Sequence, residues 1–109
     1  MSIINVRKEN LKTLGYADFE SWQNDPNNIY VGRNMSFYVK GANGSKWANP
    51  FSVKKNGREK CLQMYESYIR SKPELIIQLL ELKGKNLGCW CHPESCHGDI
   101  LIQLLNEQL

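Results

Sequence analysis

The sequence predicts an α/β fold, a small layered Rossmann-like domain whose mostly parallel sheet is flanked by helices. Three observations carry this. Short β-rich runs at Ile3–Val6 and Ile29–Val31, and an apolar stretch over Asn86–Cys91, have strand character. Segments beginning near Arg58, Pro73 and Cys96 repeat apolar residues at steps of three and four. The order strand, strand, helix, helix, strand, helix leaves long crossovers between strands, as parallel pairing requires.

A chain of 109 residues, 41% hydrophobic and 23% charged, is sized for one domain over residues 1–109 and has apolar side chain enough for a core. The net charge of +3 is spread along the chain instead of forming a basic block, a pattern typical of a solvated surface. A nucleic-acid surface would need Arg7, Lys8, Lys12, Arg33, Lys54, Lys55 and Arg58 to gather on one face. No apolar run approaches the ~18–20 residues that cross a bilayer, and the start MSIINVRKEN lacks secretory-signal character. The expectation is therefore a cytoplasmic, intracellular protein without membrane partners. Its four cysteines, Cys61, Cys89, Cys91 and Cys96, are then thiols, metal ligands or reactive centres rather than a disulfide framework.

Ser2–Arg7 is the first expected strand, closed by Lys8–Asn10. Residues 11–28 turn polar and read as an insertion between the first two strands that packs on the body. Within it, Tyr16, Phe19 and Trp22 stand at helical steps, Asp18 sits in the first turn of a short helix, and Asn24-Asp25-Pro26 ends it. Ile29-Tyr30-Val31 forms the second strand and runs into Gly32 and Arg33. The glycine- and asparagine-rich segment after it is mostly loop, with Phe37-Tyr38-Val39 as a strand candidate before the turn residues Gly41, Asn43 and Gly44. Trp47-Ala48-Asn49-Pro50-Phe51 forms an aromatic and amide cluster.

Cys61, Leu62, Tyr65, Tyr68 and Ile69 mark one buried face of a helix over 58–71. Ser71 and Glu74 match a capping box, with Pro73 in the first turn, so a second helix starts there and Gly84 ends it. Asn86–Cys91 is a buried strand despite the low propensity of Gly88. The last helix begins near Cys96, with Ile100, Leu101, Leu104 and Leu105 as its face and Asp99 placed favourably for the helix dipole.

Cys89-Trp90-Cys91-His92-Pro93-Glu94-Ser95-Cys96-His97-Gly98-Asp99 gathers three thiols, two imidazoles and two carboxylates in eleven residues. It spans a strand-to-helix turn at the carboxyl end of a strand, where open α/β sheets place ligands. Free N–H groups at a helix start bind phosphate, and the same positive end lowers the pKa of a thiol at Cys96, or at Cys91 if its sulfur reaches it. His97 would serve as base or thiolate partner, and Asp99 completes the candidate catalytic set. Arg33 and Arg58 would clamp a phosphate or carboxylate through paired donors, with Trp47, Asn49 and Trp90 as further ligand-binding candidates.

Competing readings attach to each residue. Cys89, Cys91 and Cys96 with His97 or His92 make a Cys3His zinc set, although four ligands from one strand and one turn would distort both elements. The cysteines also suit a plain core with a capping histidine. Cys61 reads as a small core hydrophobe, His92 as a surface turn residue and Asp99 as a first-turn acid. Trp47 and Phe51 more often bury area than stack on a base.

The ordered set Ile29-Tyr30-Val31-Gly32-Arg33, Trp47-Ala48-Asn49-Pro50-Phe51, Arg58, Tyr65, Gly84-Lys85-Asn86-Leu87-Gly88-Cys89-Trp90-Cys91 and Cys96-His97-Gly98-Asp99 resembles the DUF4326 family of uncharacterised proteins. Asn5-Val6-Arg7 is similar to that family's first strand. Ala48 stands where the family usually has glycine, and residues 11–28 are longer than usual. The Cys-x4-Cys-His ending is also similar to DUF488 proteins, with Gly98 in place of an arginine common there. The resemblance implies an α/β scaffold with a site at the Cys/His segment and, from the family's occurrence, a viral or phage origin, but no activity. Three functions follow as expectations. The first is a pocket for a phosphate-bearing or nucleotide-like ligand, with catalytic use of a cysteine if it is an enzyme. The second is a nucleic-acid-binding accessory protein, and the third is a zinc-stabilised interaction module.

Overall fold

Three short strands, β1 (Ser2–Asn5), β2 (Asn28–Tyr30) and β3 (Asn86–Cys89), form a sheet of order β1-β3-β2 in which both pairings are parallel. The computed structural model describes residues 2–91 and 94–108. Asn5 pairs with Cys89 and Tyr30 with Gly88, and the ladder runs on through Val6 N–H to the Cys89 carbonyl and Val31 N–H to the Gly88 carbonyl, both 3.0 Å. The last strand is shorter than expected, ending at Cys89 instead of Cys91, and the first ends at Asn5 instead of Arg7.

Alternation along the strands sends Ile3, Ile29 and Leu87 to one face and Ile4 and Tyr30 to the other. The first face is covered by α4 (Arg58–Arg70), α5 (Pro73–Gln78), a 3₁₀ turn over Leu79–Leu82 and α6 (His97–Gln108), whose Tyr65, Ile69, Leu79, Leu82, Leu101 and Leu105 are fully buried. The periodicity that predicted these helices is the same face that packs. The second face is covered by α1 (Lys8–Thr13) and α2 (Phe19–Asn24), which contribute Leu11, Phe19 and Trp22. α2 ends at Asn24 as expected, but it starts one residue after Asp18, which is its cap instead of a first-turn residue and accepts the Ser21 N–H at 2.8 Å. α1 was not foreseen, because Leu11 is its one buried residue and leaves no period to read.

Gly88 is explained by that second face. A Cβ there would lie 2.3 Å from Cη2 of Trp22 and 2.8 Å from Cγ1 of Val6, so the indole rests directly on the β3 backbone. Burying an aromatic of this size contributes on the order of 5 kcal/mol before ordering costs.

Two local expectations are corrected. Phe37-Tyr38-Val39 is not a strand: the segment is a turn closed by Met35 N–H to the Ala42 carbonyl (2.8 Å) and Val39 N–H to the Met35 carbonyl (2.9 Å), with Phe37 90% and Tyr38 78% exposed. The Ser71–Glu74 capping box does not form either. Lys72 occupies the cap position of α5, and the Ser71 hydroxyl turns back to donate to the Tyr68 carbonyl at 2.7 Å. Gly84, at φ +76°, supplies the left-handed turn between the 3₁₀ segment and β3. Among the described residues no helix is long and apolar enough to cross a membrane.

Candidate functional site: a basic cleft at the carboxyl edge of the sheet

Past the ends of β2 and β3 lies a cleft of about 360 Å³, walled by Arg33, Asn49, Lys54, Arg58, Trp90, Cys91 and His97, with Gly32, Met35 and Val53 among the residues between them. A chain of hydrogen bonds ties together two of its walls, Trp90 and Arg33. The Trp90 indole Nε1–H donates to the Tyr30 hydroxyl at 2.8 Å, and that hydroxyl donates to the Arg33 carbonyl at 2.6 Å. The Tyr30 ring folds over Gly32, where a Cβ would come within 2.5 Å of it. Ile29-Tyr30-Val31-Gly32-Arg33 is thus a strand whose tyrosine bends back to fix the arginine's backbone, and Gly32 is the residue that lets it.

The Arg33 guanidinium makes only long contacts, 3.5 Å each, to the Asn49 and Phe51 carbonyls, and it forms no ion pair among the described residues. Its donors are therefore largely uncommitted. Lys54, on α3 (Val53–Asn56), likewise has no acidic partner among the described residues. Arg58 opens α4 and is partly spoken for, by the Ser95 carbonyl at 2.7 Å and the exposed Glu94 carboxylate at 2.7 Å. An exposed pair of that kind contributes at most about 1 kcal/mol, so Glu94 holds Arg58 only weakly. Asn49 keeps its side chain for the fold: its amide oxygen accepts the Phe51 N–H at 2.9 Å and its Nδ2 lies 3.1 Å from Cys61 Sγ. Cys61 is fully buried in α4, as expected of a core residue.

His97 is buried, with its ring edge-on to Tyr65 at 5.1 Å and Nε2 2.5 Å from the Val31 carbonyl. A carbonyl only accepts, so Nε2 carries the proton and Nδ1 the lone pair. Burial first, and the Arg33 charge after it, push the imidazole below its ordinary pKa of 6.5, against the opposing pull of the Val31 carbonyl. His97 is therefore a neutral cleft-wall residue locked to β2's continuation, which leaves its Nε2 unable to act as base toward Cys96.

The helix start itself departs from expectation. Cys96 is 2% exposed and does not line the cleft. Its sulfur sits 3.2 Å from Cys89 Sγ, and that contact, together with burial, raises its pKa far above an ordinary thiol, outweighing the favourable Gly98 amide. The thiolate expected at Cys96 is thus disfavoured, and of the two cysteines considered as nucleophiles only the half-buried Cys91 reaches the cleft. Asp99 is not poised for catalysis either. Its Oδ2 accepts the Cys96 N–H at 2.9 Å, as a third-position acid satisfies a helix start, so α6 is capped from within and offers less to an outside anion than an open terminus. Gly98 packs under Ile3, where a Cβ would meet Cδ1 at 2.8 Å.

Trp47 also lies elsewhere. It is 1% exposed in the main core, with its carbonyl accepting the Tyr65 hydroxyl at 2.6 Å and its Nε1 donating to Glu81 at 3.2 Å, so it does not stack on a ligand. Among the described residues no three His, Cys, Asp or Glu side chains converge to hold a metal. The zinc set of Cys89, Cys91, Cys96 and His97 is not assembled among the described residues, and the His97 Nε2 is turned to the Val31 carbonyl instead. His92, the alternative fourth ligand, lies outside the described residues. Lys54, expected only as part of a dispersed basic surface, lines the cleft, and the Tyr30 anchor behind Arg33 is not among the expected site residues. The Lys54-Lys55-x-x-Arg58 run was the visible signal for the first, and nothing local in the sequence marks the second.

A relative from Acanthamoeba polyphaga mimivirus, an uncharacterized protein, is 38% identical over 85 residues, which is 70% of this chain and 65% of that protein. An uncharacterized 12.4 kDa protein from the nrdA-td intergenic region of Enterobacteria phage T4 is 31% identical over 68 residues, 59% of this chain and 63% of its own length. The chain thus spans a little under two thirds of the length of these curated relatives. No solved structure matches it. The model of DUF4326, a domain of unknown function, matches residues 17–107, from ahead of α2 to the last turn of α6, and the chain belongs to that family.

Proposed function

We propose that the cleft at the carboxyl edge of the sheet binds a small phosphate-bearing or nucleotide-like ligand. The observation that carries this reading is Arg33, its backbone held by the Tyr30 hydroxyl and its guanidinium without an acidic partner among the described residues, lining a cleft that Lys54 and Arg58 also line. Arginine forks match phosphate oxygens in pairs, and each charged hydrogen bond is worth about 1.5–3 kcal/mol where water is partly excluded. Trp90 offers an apolar plane beside them, and the His97 Nδ1 lone pair suits a ligand hydroxyl. Cys91 is the thiol positioned for any covalent step; Cys96 and Asp99 serve the fold.

The sheet, with apolar clusters on both faces, supports a reduced Rossmann-like layering, and a ligand past the strand ends accords with where such sheets bind. The mimivirus and phage T4 relatives support a viral or phage origin, and with it a role inside an infected cell.

Isothermal titration with orthophosphate and with adenosine monophosphate tests the reading. Wild type is expected to bind both, and Arg33→Gln to weaken both by about tenfold or more. Equal binding by Arg33→Gln and wild type would remove the cleft as the site.

A further inference from the structure

The turn that replaces the expected strand at 37–39 presents two aromatic rings to solvent. Phe37 and Tyr38 are 90% and 78% exposed, pack edge-to-face on each other with centroids 5.0 Å apart, and ride on a turn held by four backbone hydrogen bonds between Met35 and Ala42. Large apolar surface on an ordered turn asks for an occupant.

Its position identifies the occupant's chemistry. Met35 of the same turn lines the basic cleft, and Tyr38 lines a neighbouring pocket of about 270 Å³ with Lys8, Lys40 and Trp90. Trp90 borders both spaces, so Arg33, Lys54 and Arg58 in one and Lys8, Lys40 and the Tyr38 ring in the other adjoin through a single indole. The acids along this strip are few. Glu94 pairs with Arg58, Glu20 lies 3.7 Å from Lys40, and Asp18 is occupied in capping α2. Cations beside accessible aromatic rings are what a strand of linked nucleotides needs: charge for its phosphates and π-faces for its bases. A duplex would keep its bases stacked on one another and leave the rings unused.

We infer that single-stranded nucleic acid lies along this edge, with a phosphate in the Arg33–Arg58 cleft and bases on Phe37, Tyr38 and the Trp90 side of the strip. The inference rests on the anion reading of the cleft and extends it from a single ligand to a polymer. The two exposed rings are the discriminating part, because a mononucleotide held in the cleft has no need of them.

The test is fluorescence anisotropy with a labelled twelve-nucleotide oligothymidylate, beside orthophosphate titration of the same proteins. Phe37→Ala/Tyr38→Ala, changed only at exposed positions and checked for an unaltered melting temperature, is expected to lose about tenfold or more in oligonucleotide affinity and keep its phosphate affinity. Wild-type affinity is expected to fall with rising salt. Phosphate binding without oligonucleotide binding, or an oligonucleotide affinity untouched by the double substitution, overturns the inference and leaves the anion cleft standing. No binding of either probe overturns both. A double variant that changes only the sedimentation of the protein, from dimer to monomer, makes the rings a self-association surface and likewise overturns it.

Discussion

Cys91 and Cys96 stand five residues apart in one cysteine-rich segment, yet the fold puts them to opposite uses. Cys91 lies half-buried in the wall of a cleft lined by Arg33, Lys54 and Arg58, whereas Cys96 is sealed against Cys89 under α6. The strand explains the split. Cys89 is the last residue of β3 and points into the main core, the chain leaves the sheet at Trp90 and Cys91, and it returns to the core at Cys96 to start α6. A dense set of reactive residue types in sequence is thus divided in space into a structural half and a surface half. Density alone does not make a site.

The structural half is the place to look for the largest effects. Gly88→Ala drives a methyl into Trp22 and Val6, and a loss of about 3 kcal/mol in urea-unfolding free energy is expected; a loss under about 1 kcal/mol would mean the indole does not sit on β3. Cys96→Ala removes a buried sulfur and should cost about 1–2 kcal/mol while leaving phosphate affinity unchanged. Loss of phosphate binding in that variant, with its fold intact, would erase the distinction between the two halves.

His97 links them and has a pH signature. Burial holds its folded-state pKa below the ordinary 6.5, so as pH falls below about 6.5 the unfolded chain takes up a proton that the folded chain refuses. Stability is therefore full above that pH and declines beneath it, by at most about 1.4 kcal/mol per pH unit from this group. His97→Gln keeps a donor for the Val31 carbonyl and should flatten that slope between pH 6.5 and 5; an unchanged slope would place the titration elsewhere. The smallest effect is one of rate. In the native protein a mild alkylating reagent should modify Cys91 first, with Cys61, Cys89 and Cys96 protected until unfolding, and mass spectrometry of the peptides reads the order directly.

How far the sequence foretold this differs from element to element for physical reasons. α4 was legible because Cys61, Tyr65 and Ile69 recur at four-residue steps on the face that packs. α1 was not, since a six-residue helix with one buried side chain carries no period. Phe37-Tyr38-Val39 has strand composition, but propensity measures how a side chain suits a half-buried pleat, and no neighbouring strand is there to bury it. At the site, Arg33, Asn49, Arg58, Trp90, Cys91 and His97, candidates by residue type and motif, all line the one cleft. Trp47, Cys96 and Asp99 were named for their chemistry and serve the core and the helix cap, because burial and hydrogen-bond partners are set by tertiary contacts such as Tyr65 to Trp47 that no local pattern encodes. Tyr30 escaped notice for the same reason: its partner Trp90 lies sixty residues away.

Anions are proposed to bind in the cleft and not at the start of α6. A phosphate titration followed by two-dimensional ¹⁵N–¹H NMR tests it residue by residue. The predicted result is concentration-dependent movement of the Trp90 indole Nε1–H and of the Gly32 and Arg33 amides, with the Gly98 and Asp99 amides stationary. Movement centred on Gly98 and Asp99, or none anywhere, would contradict it.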